Sequence, residues 1–102
     1  MKLEFNRETL GRFCQEHGIA RLELFGSSLR ADFREDSDID LLATLQNDAH
    51  PTLLDWADMQ EKLAEMMGRP VDLVSRRAIE RSRNLYRRHS ILSTTMPIYG
   101  EG

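Results

Sequence analysis

Two aspartates, Asp38 and Asp40 in the run Ser37-Asp38-Ile39-Asp40-Leu41-Leu42, have the type and spacing to do chemistry in this 102-residue chain. In a strand, residues two apart share a face, with roughly 6.5 to 7 Å between their Cα atoms. Two carboxylates aimed at one spot repel each other unless a cation sits between them. Hard divalent ions such as Mg²⁺ favour one or two protein carboxylates, completed by phosphate oxygens and water. Taken alone, the same pair also fits a solvent-facing strand edge. The residues upstream narrow the choice. Gly26-Ser27 directly follows a strand-like run, and ten residues separate Ser27 from Asp38. A glycine there lets the backbone turn and lets phosphate oxygens approach main-chain N–H groups, and the serine hydroxyl adds a donor. A Gly-Ser pair by itself is more often a plain turn. Joined to Asp-x-Asp, with strands on both sides, it describes a site for phosphate and metal.

Those residues need elements to hold them. Asn6 can cap a first helix with Leu10, Phe13 and Cys14 on one face, and Gly18 suits its end. Arg21-Leu22-Glu23-Leu24-Phe25 alternates apolar with polar and reads as a half-buried strand. Ser28-Leu29-Arg30 forms a short turn or helix, and Ala31 to Asp36 a polar loop. A strand from Ser37 to about Leu45 then points Ile39 and Leu41 one way and Asp38 and Asp40 the other. Residues 46 to 52 carry loop chemistry. Thr52 introduces a helix to about Met67, with Leu53, Leu54, Ala57, Leu63, Met66 and Met67 as its buried stripe, stopped by Gly68 and Pro70. Pro70-Val71-Asp72-Leu73-Val74 is a third strand. Ser75 starts an Arg-rich helical region that ends before Pro97, and Pro97-Ile98-Tyr99 adds a short edge strand or an extended segment. The expected fold is one α/β domain (α+β, two-layer) over residues 1 to 102, a small mixed sheet of three to four strands with helices packed on one face.

Composition excludes several classes. Hydrophobic residues make up 40% and charged residues 30% of the chain, ordinary for a globular domain. No apolar stretch approaches the roughly 18 residues that span a bilayer, and Met1-Lys2-Leu3-Glu4-Phe5-Asn6 is too polar for a signal peptide. A lone cysteine cannot form an internal disulfide, which fits a reducing cytoplasm. The net charge of −3 argues against general nucleic-acid binding, but it is unevenly spread. Residues 1 to 75 carry 8 basic and 15 acidic side chains, whereas residues 76 to 102 carry six arginines against Glu80 and Glu101. Arg76, Arg77, Arg81, Arg83, Arg87 and Arg88 read as a solvated helical face or as a contact surface for an acidic partner or RNA. Cys14 reads as a small core residue. His17, His50 and His89 show no metal-ligand spacing, and Trp56 and Met66-Met67 read as packing.

The stretch from Leu24-Phe25-Gly26-Ser27-Ser28-Leu29-Arg30 through Ser37-Asp38-Ile39-Asp40-Leu41-Leu42 resembles the signature of the polymerase-beta-like nucleotidyltransferases, above all their smallest members, the minimal nucleotidyltransferases. The resemblance implies that Gly26 and Ser27, with Arg30 and Ser37, bind the nucleotide, and that Asp38 and Asp40 bind two Mg²⁺ ions. It also makes Asp72 the third carboxylate, a metal ligand able to accept the proton of the attacking hydroxyl. Ala31 stands where the family has a glycine, so Arg30 can alternatively pair with Asp32, Glu35 or Asp36. Such proteins are typically antitoxins in type VII-like toxin–antitoxin pairs. They move AMP from ATP onto a tyrosine of a HEPN-type RNase toxin, so ATP is the expected substrate and that toxin the expected partner. Two alternatives remain open: a non-catalytic antitoxin that occludes the toxin, and a nucleotidyltransferase acting on a small hydroxylated molecule.

Overall fold

The computed structural model describes residues 5–29 and 38–100, with the backbone alone at Ser27 and Ser28. The elements in chain order are α1 (Arg7–Glu16), β1 (Ile19–Leu24), a single 3-10 turn (Gly26–Leu29), β2 (Ile39–Leu45), α2 (Leu53–Met67), β3 (Val71–Ser75), α3 (Arg76–Glu80), α4 (Leu85–Leu92) and β4 (Met96–Tyr99). Local chemistry sets their ends. Asn6 accepts the Thr9 N–H at the start of α1. Thr52 and Asp55 form a reciprocal capping box on α2, and Gly68 closes that helix in the left-handed conformation.

The four strands lie in the order β3-β2-β1-β4. β1 runs antiparallel to both β2 and β4, whereas β2 and β3 run parallel and are joined through α2. This is the expected mixed sheet, with the tail as an edge strand, but the helices expected on one face pack on both, α1 and α2 on one and α3 and α4 on the other. Ile39, Leu41, Ala43, Leu22, Leu24, Val71 and Leu73 face the main core, which α1 closes with Leu10, Phe13 and Cys14 and α2 with Met59, Leu63 and Met67. Alternate strand positions face the other way, where Phe25 and Leu42 pack with Ile79 of α3 and Ile91 of α4 in a smaller second cluster.

The helix that joins the parallel strands buries only part of the expected stripe: Leu63 and Met67 are buried and Met66 packs against the core, but the leading leucines are not buried. Leu53 and Leu54 are 90% and 83% exposed, and Ala57 is exposed too. The inward stripe is Trp56, Met59, Leu63 and Met67, a three-to-four-residue spacing that begins one turn later. The two leucines that open α2 thus belong to neither core cluster. The Arg-rich region is two short helices rather than one. Ser75 caps α3, which stops at Arg81, and Asn84 caps a fresh start at Leu85 by accepting the Arg87 N–H.

Candidate functional site

Asp40 is the second residue of β2 and Asp72 the second residue of β3, and the parallel register sets them directly opposite each other. Adjacent strands lie about 4.8 Å apart and paired residues share a face, so two carboxylates from different strands project side by side. Asp40 is half-buried and Asp72 exposed. Each is held from behind. Phe25 donates its N–H to the Asp40 carbonyl at 3.1 Å. On β3, an edge strand, the outward backbone groups of Leu73 are taken up by α2: Trp56 Nε1 donates to its carbonyl at 3.0 Å, and Gln60 Oε1 accepts its N–H at 2.9 Å. Trp56 thus packs and also pins the residue beside Asp72.

Gly26 completes the arrangement. Its φ of +62° is left-handed, and a Cβ built there would lie 2.7 Å from Asp40 Oδ2. Only glycine brings this backbone up against the carboxylate without moving it. Gly26 and Asp40, two of the residues singled out in the sequence, therefore lie against each other although fourteen residues apart in the chain.

Other expected site residues are placed differently. Asp38 is exposed and precedes the first residue of β2. It stands one residue ahead of the ladder that sets Asp40 opposite Asp72. Among the described residues, no three His, Cys, Asp or Glu side chains group closely enough to hold a metal, so Asp38, Asp40 and Asp72 do not stand as a ready-made triad. Arg30 and Ser37 lie outside the described residues, and Ser27 is placed by its backbone only. The Asp40–Asp72 pair still suits a hard divalent cation, because Mg²⁺ takes one or two protein carboxylates and fills its octahedron with phosphate and water.

Sequence reasoning missed Glu23. Within a half-buried strand it reads as the wet position, yet it is wholly buried, because α3 covers that face. It accepts from Arg76 Nη1 at 3.1 Å, pairs with Arg21 Nη2 at 3.3 Å, and accepts the Thr95 hydroxyl. One carboxylate thereby ties β1, α3 and the approach to β4 together on the face that carries Asp40. The available signal was Arg76 directly after the third strand, a cation with no sequence-local reason to turn inward. Cys14 is no nucleophile: burial pushes its thiol up to about 12. A cleft of about 710 Å³, lined by Glu16, His17, Asp48, His50 and Asp58 among others, opens at the opposite end of the sheet from Asp40. It holds neither the aspartate pair nor Gly26.

Comparison with known proteins adds an independent line. The family model for the nucleotidyltransferase domain matches residues 7–95. Protein adenylyltransferase MntA of Thermococcus cleftensis is 32% identical over 66 residues, a stretch spanning 65% of this chain and 65% of that protein, just short of two thirds. A solved structure of a candidate minimal nucleotidyltransferase is 37% identical, covers 89% of this chain and 87% of its own, and superposes with a TM-score of 0.66. A chain from the complex of tri-AMPylated Shewanella oneidensis HEPN toxin with MNT antitoxin shares the fold at 15% identity and a TM-score of 0.60, covering 93% of this chain and 70% of that one. Among the described residues no helix is long and apolar enough to cross a membrane.

Proposed function

The chain belongs to the nucleotidyltransferase domain family, and from that premise we propose that it is a protein adenylyltransferase moving AMP from ATP onto a tyrosine of a cognate HEPN-type RNase toxin, which it neutralises as an antitoxin. The observation that carries the reading is Asp40 set opposite Asp72, with the Gly26 backbone against the Asp40 carboxylate. The MntA relative and the AMPylated toxin complex support the acceptor class.

In the transfer, the tyrosine oxygen forms a bond to the α-phosphorus, the bond from that phosphorus to the β-phosphate bridge oxygen breaks, and diphosphate leaves. Mg²⁺, held by Asp40 and Asp72 with Asp38 beside them, would neutralise phosphate charge. The chain's own part is positional. Gly26, followed by Ser27, lets the triphosphate approach the main chain without a side chain in the way. Arg30 and Ser37 are the further nucleotide contacts proposed. The Asp72 carboxylate, exposed on its edge strand, receives the proton that the tyrosine hydroxyl gives up. Holding the strands in register sets the two reactants in one geometry, the main source of rate in phosphoryl transfer.

The discriminating experiment incubates the chain with ATP labelled at the α-phosphate, Mg²⁺ and the cognate HEPN protein. Label on the HEPN protein that disappears with Asp40→Asn or with Asp72→Asn supports the reading. A second reading, neutralisation by occlusion, draws on the fact that the described carboxylates do not form a three-ligand group. It predicts inhibition without label, undiminished in both variants.

A further inference from the structure

Helix α4 has one buried residue, Ile91, and its first turn carries Leu85 and Tyr86 at 63% and 88% exposure. Arg81, Arg83 and Arg87 flank them in the chain and are exposed, and none makes an ion pair among the described residues. Their neighbours differ. Arg76 is bound to Glu23 and faces Glu80, and Arg88 donates to the Glu80 carbonyl. From 76 to 88 the sequence has six arginines, one glutamate and no lysine, whereas residues 1 to 75 carry an excess of acids.

We infer that the Arg-flanked Leu85–Tyr86 surface of α4 is where an acidic face of the acceptor protein docks, an inference that rests on the transferase reading above. Arginine and tyrosine are enriched in protein interfaces and lysine is depleted. An unpaired guanidinium presents a fork that a carboxylate fills with two hydrogen bonds. The position suits the chemistry. Ile91 packs on Phe25 and Leu42, which lie on the sheet face that carries Asp40, and Phe25 bonds the Asp40 backbone. A partner seated on the outer side of α4 therefore stands about one helix diameter, roughly 10 to 12 Å, from that face. A protein occupant follows from the transferase reading, which requires an acceptor protein at this site; single-stranded RNA, which could stack on the exposed Tyr86 ring, is the competing occupant that the test separates.

The test titrates the full chain with the cognate HEPN protein by calorimetry, in wild-type form and with two sets of substitutions. One set is Arg81→Glu, Arg83→Glu and Arg87→Glu; the other is Leu85→Ala with Tyr86→Ala. ATP affinity of each chain is the control. Both sets should weaken association by at least about tenfold, with ATP affinity unchanged, and wild-type affinity should fall as salt is added. Association within about threefold of wild type in both sets overturns the inference, as does a wild-type chain that does not associate. Tight binding of single-stranded RNA that the substitutions abolish while protein association persists overturns it as well. Each set touches only exposed side chains, so if one fails to fold the other decides. Loss of label transfer with association intact would sink the transferase reading and leave the docking surface in place.

Discussion

Gly26→Ala and Gly68→Ala make a matched pair, because both glycines are left-handed, at φ +62° and +73°, but only one lies against Asp40. An L-residue in that conformation costs roughly 1–2 kcal/mol. At Gly68 nothing lies within 4 Å of the added methyl, so strain is the whole cost. At Gly26 the methyl would sit 2.7 Å from Asp40 Oδ2, the end of a side chain that can swing aside. Both variants should therefore lose similar stability, and in a domain of this size Tm should fall by roughly 4–8 °C for each kcal/mol. Their activities should separate. Swinging Asp40 aside displaces a reacting-site carboxylate by about 1 Å, a shift that typically costs about 100-fold in rate. Label transfer from ATP, read beside thermal unfolding, gives both quantities on the same samples. Transfer by Gly26→Ala equal to that of Gly68→Ala would refute the argument that Gly26 is a glycine for the sake of Asp40.

Glu23→Ala should destabilise by about 2 kcal/mol in urea denaturation. That is less than the 3–5 kcal/mol of a fully buried broken pair, because Arg21 and Arg76 are each 30% exposed and keep some water. Cys14 should resist thiol reagents at pH 8 until the chain unfolds, since burial holds its thiol up at about 12; rapid labelling of the native chain would contradict this. Asp55 accepts the Thr52 N–H, which with the Thr52 hydroxyl holds its carboxyl below the ordinary 3.8. Its stabilising contribution is thus complete above the unfolded value and is lost as pH falls through the lower folded one. Thr52→Ala should cost about 1 kcal/mol at neutral pH, and Asp55→Asn should flatten the acid limb of the stability profile.

Much of this was legible because it is local. Asn6, Thr52 and Gly68 announce helix ends through side-chain and backbone chemistry that needs no tertiary context, and the alternation in 39–45 fixed which residues faced the core. The Asp40–Asp72 juxtaposition is different in kind. It depends on a parallel register set by packing α2 across the sheet, and no spacing in the chain encodes it directly. Leu53 and Leu54 misled because hydrophobicity reports what a residue would gain from burial, not whether any other element packs on those side chains. Glu23 misled for the converse reason: period two supplies a second face but not what covers it, and here α3 brings Arg76 onto it. Asp38 immediately precedes the first residue of β2, a difference of one residue at an element's end, where sequence patterning is least sharp.

The central claim is that Asp40 and Asp72, from two strands, act as one site on a nucleotide. Calorimetric titration of the chain with Mg²⁺ and a non-hydrolysable ATP analogue, in wild type, Asp40→Asn, Asp72→Asn and the double variant, tests it most directly. One shared site predicts that either single variant removes most of the Mg²⁺-dependent affinity and that the double variant loses little more, the non-additivity of groups acting together. Losses that simply add, or an affinity that neither aspartate affects, would contradict the account.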